Sequence, residues 1–508
     1  MKTEKITLSA LLCVMLFTSP VLKAQKLWST AFSGGANNAG TIVELNTDGT
    51  GFTKVYDFTE ATGSGPMGSL LQAANGKVYG TCVNGGKDSS CVCFCYDPLT
   101  GTYTDIWDFD IIHGDFPMSG LIQGPNGILY GVASAGGSMY ASDSLGNFHP
   151  GYGVLYSVDP STNTYTDIYS FTGSNGYAPC GSPMLSTDGK LYGLTSGFLF
   201  YYDSTSAFGN IYSYDVTAGT YTDLHDFTGV HDGYAFGSLT EHNGVLYGMC
   251  SGNPQYAPMQ IQNVFNFFQP EVPAINNGSI FSYNTTTGIY TDLHDFDSVN
   301  GSAPYGSLIL AANGKFYGTT SAGGAYNYGV IFSLDPASGI YTKLFDFDGT
   351  RGANPMTDLV QAADGNLYGT TSVGGATTYG VAYSFNYTNN NYTVVANFDY
   401  TNGRGPLSGA LSAVNTTTGI LTPSANASLS VYPVPAHNSI VVNYLSATDK
   451  NPALALTDIN GRIIWGPQTA AANNGAQIKI DVSAFESGIY FLRATSGSDV
   501  TTRKIVIE

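Results

Sequence analysis

The sequence predicts an all-β chain: a seven-bladed β-propeller followed by a small Ig-like β-sandwich. Three observations carry this. A segment typified by Gly306 to Phe347 recurs seven times, its copies ending at Phe58, Phe109, Phe171, Phe227, Phe296, Phe347 and Phe398. Each copy holds four short runs rich in Tyr, Phe, Ile, Val and Thr, the residue types that suit a pleated, half-buried surface. The first copy lacks its opening run, and a matching run follows the last copy. A period of about 50 residues marks a solenoid, propeller or array. Four antiparallel strands per unit select the propeller.

In the sixth copy the runs are Ser307–Leu310, Lys315–Thr320, Gly329–Asp335 and Tyr341–Phe347. Asn313-Gly314 separates the first two, a hairpin signal. Ala322-Gly323-Gly324 and Asp335-Pro336-Ala337-Ser338-Gly339 separate the others, with Gly and Pro punctuating the turns. No helical periodicity interrupts them.

The first copy opens at Lys26-Leu27-Trp28-Ser29, which aligns with Lys315-Phe316-Tyr317-Gly318. Gly405–Leu411 after the seventh copy matches Phe116–Ile122, a first-run segment. The C-terminal piece is therefore expected to complete the N-terminal blade and remove exposed sheet edges. The alternative is an open array with a frayed first unit.

Residues 1–24 read as a secretory signal. Lys2 and Lys5 form the charged region, Ile6 to Phe17 the apolar region, and Leu22-Lys23-Ala24 a cleavage site. The apolar run is too short to span a bilayer, and no other stretch is long and apolar enough to do so. Cys13 lies inside the apolar run, which disfavours a lipoprotein. The net charge of −19 argues against nucleic acid, whose phosphates want a basic face.

Six cysteines follow the signal: Cys82, Cys91, Cys93, Cys95, Cys180 and Cys250. An even count in an exported chain permits disulfides, and Cys82 with Cys91 is a pair on neighbouring strands. Cys91, Cys93 and Cys95 alternate along one strand and share a face. With Cys82 they form a conceivable thiolate metal site, but disulfides or buried thiols are favoured and no metal site is assigned.

Features that recur from copy to copy read as structural: the Asp before Phe, the Tyr-Gly pair and the Gly-Gly turns. His225 and His294 occupy the position of Tyr56, Trp107 and Phe345, so they read as packing residues. The informative departures lie between the second and third runs. Ser29 to Gly40, Gly80 to Cys91, Gly318 to Gly329 and Gly369 to Gly380 are each 11 apart. Gly131 to Gly153 is 22, Gly193 to Gly209 is 16 and Gly248 to Gly278 is 30. These three extensions belong to consecutive copies and should cluster on one sector of one face. They carry Tyr140, Phe148, His149 and Tyr152, then Phe200, Tyr201 and Tyr202, then Tyr256, Phe265, Phe267 and Phe268. Such rings suit carbohydrate or peptide recognition, and long loops on a rigid scaffold commonly carry function. The competing reading has them pack the loops together.

The Leu-Tyr-Gly-x-Thr-Ser-x-Gly-Gly pattern with Asp-x-x-x-Gly-x-Tyr-Thr resembles the tandem repeat called GloVer, over roughly Lys26 to Leu411. The Gly-Gly after the second run and the later aromatic also look distantly like kelch blades. The GloVer resemblance implies no defined catalytic motif.

Residues 25–411 thus form the expected ring, and 412–428, rich in Thr, Ser and Asn, a linker. Residues 429–508 hold alternating runs at Ser439–Tyr444, Ala453–Thr457, Arg462–Trp465, Gln477–Val482, Ile489–Ala494 and Thr502–Ile507, with an Asn460-Gly461 turn. This is a β-sandwich pattern. The tail resembles the type A sorting domain of the type IX secretion system of Bacteroidetes. The matching residues are Val431-Tyr432-Pro433-Val434-Pro435, Asp458-Ile459-Asn460-Gly461-Arg462, Gly488-Ile489-Tyr490 and Arg503-Lys504-Ile505-Val506-Ile507, with Val434 where the family usually has Asn. The resemblance implies that Tyr432, Pro433, Pro435, Gly488, Tyr490 and Lys504 belong to the sorting motif. It also implies passage across the outer membrane by the type IX machinery, then release or surface tethering.

Three function classes remain. The favoured one is a secreted or cell-surface binding module for glycan or protein. The others are a structural surface protein and an extracellular hydrolase or lyase. No His-Glu-x-x-His, nucleophile elbow in a hydrolase context, P-loop or dinucleotide fingerprint is present. No catalytic residue and no cofactor is therefore assigned. His149, His231 and Asp232 are the least repeat-like polar residues.

Overall fold

The computed structural model describes residues 26–507 apart from 88–90, 139–140, 143–147, 150, 198–207, 253–275, 408–410 and 415–426, and, in the tail, 433–438, 447–452, 458–462, 470–476, 486–487 and 497–498. The expected signal segment lies outside the described residues. The chain divides into two compact units, Met1–Thr416 and Thr417–Glu508.

In the first unit the described residues form seven four-stranded antiparallel sheets. The sixth runs Ile309–Leu310, Phe316–Thr320, Val330–Leu334 and Tyr341–Asp346, within the expected runs. The first sheet takes Lys26–Ala31, Thr41–Asn46 and Thr53–Asp57 from the start of the chain. Its fourth strand is Ser412–Val414. Completion of the first sheet from the far end was expected, but the paired strand lies just past the 405–411 segment. Gly405 instead takes part through backbone bonds, accepting from Phe32 and donating to Tyr379. The one helical element among the described residues is a 3-10 turn, Glu60–Thr62.

Each sheet shares an apolar core with the next, and the seventh shares one with the first. Leu27, Val43 and Leu45 pack with Tyr368, Ala382 and Phe398 in that last cluster. The repeat-ending Phe residues are all buried, and each N–H donates to the carbonyl at the start of the third strand, as Phe347 does to Gly329 at 3.0 Å. The Asp before Phe caps the connection between strands two and three. Asp57 accepts from the Ala36 N–H, Asp108 from Lys87 and Asp346 from Ala325.

Two further devices recur. First, the third and fourth strands of all seven sheets slip register at the same point, for example between Ile280 and Phe281. Such a bulge brings residues i and i+3 to one side. Lys54–Asp57 at 2.6 Å and Lys343–Asp346 at 3.0 Å are ion pairs of that spacing. Second, at six of the seven junctions a ring of the fourth strand stacks on a Tyr of the next sheet. Tyr56 stacks on Tyr103, Trp107 on Tyr165, Tyr169 on Tyr221 and Phe345 on Tyr392, with ring centroids 4.2–4.7 Å apart. His225 on Tyr290 and His294 on Tyr341 do the same at 4.1 and 3.9 Å, so these imidazoles are packing rings. At the seam between the seventh and first sheets Ala396 and Phe52 hold these positions.

The second unit contains strands Ala427–Tyr432, Ser439–Ser446 and Gln477–Asp481 in one sheet, and Ala453–Thr457, Ile463–Thr469, Gly488–Ser496 and Asp499–Ile507 in another. Both contribute to one core that includes Ile440, Val442, Leu454, Leu456, Ile480, Leu492 and Ile505. Its first strand begins at Ala427, inside the segment read as a linker. Tyr490 is buried in that core. Gly488 and Lys504 are strand residues, as is Tyr432. Pro433 and Pro435 lie outside the described residues.

All six described cysteines are free and buried. Cys82 pairs across the strands with Val92, so Cys91 is one register step away and faces the other side of the sheet. Cys82 packs toward the first sheet with Phe94, whereas Cys91, Cys93 and Cys95 pack toward the third with Tyr156. The Cys91 thiol donates instead to the Val83 carbonyl and the Asp115 carboxylate. The possible Cys82–Cys91 bridge is therefore not made, the alternative of buried thiols is what the structure has, and the four sulfurs do not converge. Burial pushes the thiol pKa values up, that of Cys180 to about 11.

Candidate functional site

In an antiparallel four-stranded sheet the second and fourth strands run the same way. The connections leaving both strands therefore emerge at one end of each sheet. The connections from second to third strand are 134–153, 195–209 and 251–278 in the third, fourth and fifth sheets. In the other sheets they are 32–40, 85–91, 321–329 and 371–380. The extended connections thus belong to three consecutive sheets and leave from equivalent ends.

Most of the aromatic residues singled out in these connections fall outside the described residues: Tyr140, Phe200, Tyr201, Tyr202, Tyr256, Phe265, Phe267 and Phe268. Phe148 and His149 form a short strand paired with Ala141–Ser142, His149 opposite Ala141. Tyr152 is half-buried. Its carbonyl accepts from the Ala178 N–H, and its ring lies 6.1 Å from that of Tyr177 in an edge-to-face contact. It packs the base of its connection onto the scaffold. Phe208 does the same from the neighbouring connection, 5.9 Å from Tyr234. Asp232 is likewise structural. Burial opposes its charge, but the His225 imidazole 3.9 Å away and bonds from Thr228 and Gly229 hold its carboxyl below the ordinary range.

Sequence reasoning passed over one further feature. Each copy places a large side chain after a Pro (Ala235 in the fifth), and these meet in one cluster. Met67, Met118, Cys180, Tyr305, Met356 and Leu407 are buried there, with Phe236 packed against them. The recurring Pro followed by a bulky residue was the available signal. The backbones here approach so closely that a Cβ on Gly181 would lie 2.1 Å from the Gly237 carbonyl oxygen. Beside the cluster is a cavity of about 40 Å³ lined by Ser69, Ser182, Ser238, Ser307 and Asp358. The Ser307 N–H donates to Asp358, and burial raises that carboxyl. A water needs roughly 10–15 Å³ of such space, so this cavity is large enough for water and too small for a sugar or peptide. A larger cavity, about 360 Å³, lies between the third and fourth sheets, lined by Tyr130, Ser157, Thr164, Thr166 and Tyr214 among others. It is at the end opposite the long connections. No described helix is long and apolar enough to cross a membrane.

The Gloeobacter/Verrucomicrobia repeat model matches residues 17–148 and 271–431. The secretion system C-terminal sorting domain matches residues 430–508. No curated protein matches the sequence. Among solved structures, one titled "putative 6-phosphogluconolactonase" from Bacteroides fragilis has 13% identity and a TM-score of 0.50, covering 78% of this chain and 99% of its own. One of the same description from Bacteroides uniformis has 12% identity and a TM-score of 0.46, covering 73% and 95%. TolB from Acinetobacter baumannii has 16% identity and a TM-score of 0.36, and the match spans 63% of each chain. At these identities the likeness concerns the fold alone.

Proposed function

The chain belongs to the Gloeobacter/Verrucomicrobia repeat family and ends in a secretion-system sorting domain, and from that premise we propose that it is a seven-bladed β-propeller that binds glycan or protein outside the cell. The sorting domain directs type IX export to the cell surface or extracellular space. The blade count is supported by seven sheets among the described residues, with a shared core between each and the next and between last and first. The tail, residues 429–508 after a linker, is the sorting domain as an Ig-like sandwich, and residues 1–24 are the export signal.

One observation carries the binding reading: extended connections occur on three consecutive sheets and leave from equivalent ends. Rings such as Tyr201 and Phe267 offer large contact area at low entropic cost, with polar groups for orientation. The test is an array of polysaccharides and surface proteins probed with the purified chain, run beside a depolymerisation screen. Saturable retention without product supports the binding module. Release of oligosaccharides points to the enzyme, and no retention on any probe points to a structural role.

A further inference from the structure

The same end of the fifth sheet carries a second feature, and it does not depend on the binding reading. Asp292 and Asp295 occupy the bulge positions that the first and sixth sheets fill with Lys54–Asp57 and Lys343–Asp346. Where those copies balance the carboxylate with a lysine, the second, fourth and fifth set two carboxylates together, Asp105–Asp108, Asp223–Asp226 and Asp292–Asp295, and in the fifth an imidazole joins them. Asp292 is raised by burial and by Asp295. The imidazole of His231 comes to meet them from the connection between the fourth and fifth sheets. That connection runs one residue longer between the repeat Phe and the following Gly, Phe227 to Gly233, than its counterparts such as Phe296 to Gly301. Among the described residues Asp295 pairs with His231.

We propose that His231, Asp292 and Asp295 form a surface site for a divalent transition-metal ion of the zinc type, with water completing its coordination. The His231 Nδ1 lies 2.8 Å from Asp295 Oδ2 and 3.8 Å from Asp292 Oδ2, and the three donor atoms all fall within 4.8 Å of one another. A tetrahedral ion with bonds of about 2.0–2.1 Å sets its ligand atoms roughly 3.3 Å apart. The observed separations bracket that value, so small rotations of exposed side chains suffice. One imidazole nitrogen with two carboxylates suits zinc and its neighbours, whereas calcium and magnesium prefer all-oxygen sites. In the metal-free protein His231 is drawn toward its charged form by its bond to Asp295, so the ion replaces a proton as counter-charge for the two carboxylates.

The test uses the untagged full chain, stripped with chelator and titrated with zinc chloride by calorimetry, with cobalt absorption as a second reading. The expected result is one zinc per chain. Binding weakens at least about tenfold in His231→Ala, Asp292→Asn and Asp295→Asn, and is unchanged in His113→Ala, whose imidazole pairs with Asp110 elsewhere. The cobalt form should show ligand-field bands without thiolate charge transfer. No zinc uptake by the parent, equal uptake by the three variants, or thiolate bands that place the ion on cysteine would each overturn the site.

Discussion

Leu27 lies opposite Ala413 in an antiparallel ladder, with Lys26 opposite Val414 and Trp28 opposite Ser412. The first and last strands of the repeat region therefore share one sheet, and the Ser412 hydroxyl reaches onward to the Leu70 carbonyl in the next. This matters most at the seam between seventh and first sheets, where Ala396 and Phe52 replace the aromatic–Tyr stack found between the other sheets.

Chains ending after Asn426 and after Leu411 differ by that strand. The shorter one exposes the edge of Lys26–Ala31 and uncovers Trp28. It should melt at least about 5 °C below the longer one, since a kcal/mol shifts Tm by roughly 2–4 °C in domains of a few hundred residues. Melting points within a couple of degrees would mean that Ser412–Val414 does not hold the ring.

The stacks between sheets give a second test. The Tyr392 ring stacks on Phe345 at 4.2 Å, and its hydroxyl donates to the Arg351 carbonyl at 2.6 Å. Tyr392→Phe loses the hydrogen bond, about 1 kcal/mol. Tyr392→Ala also loses the packing, about 3–5 kcal/mol. Equilibrium denaturation of both variants should reproduce that order, and equal losses would place all the energy in the hydroxyl.

Much of this scaffold was legible in the sequence because repetition turns weak local signals into strong ones. Four short runs mean little once, but seven copies ending in Phe, five of them in Asp-Phe, reveal the period. The copy-to-copy variation identified His225 and His294 as rings in an aromatic position, and they stack as Tyr56 does. The Cys82–Cys91 pairing was misjudged because neighbouring strands are not enough: one register step puts the two thiols on opposite faces. The start of the tail at Ala427 was hidden by a Ser- and Asn-rich composition that reads as linker. The His231 cluster needed the fold, since only packing of successive sheets brings His231 to Asp292. The bulge that sets Asp292 beside Asp295 has no sequence signature of its own.

Asp105 gives a pH test. Burial, then its neighbour Asp108, pushes its carboxyl up to about 6 from 3.8. The folded state then holds a proton that the unfolded state releases. This contribution favours folding at low pH and is lost as pH rises from about 4 to about 6. Asp105→Asn should flatten that part of the stability profile and raise Tm slightly at pH 7, on the order of 1 °C. An unchanged slope between pH 4 and 6 would remove Asp105 from the account.

The sorting domain makes a cellular prediction. Removing residues 429–508 should leave a folded ring that accumulates in the periplasm of the native host. Fractionation by immunoblot reads this directly, and normal amounts of truncated chain on the surface or in the medium would contradict export through the tail.

The binding face is tested by making the three long connections like the rest. A chain whose connections 134–153, 195–209 and 251–278 are shortened to the 11-residue Gly-to-Gly spacing of the other copies keeps every strand and loses the aromatic loops. The decisive measurement is its retention on the polysaccharide and protein array beside that of the parent, with a thermal melt of both. The account predicts a melting point within a few degrees of the parent and no retention on the probes the parent binds. Retention equal to the parent's would contradict it by placing recognition elsewhere, and a collapsed melting point would assign the loops to packing.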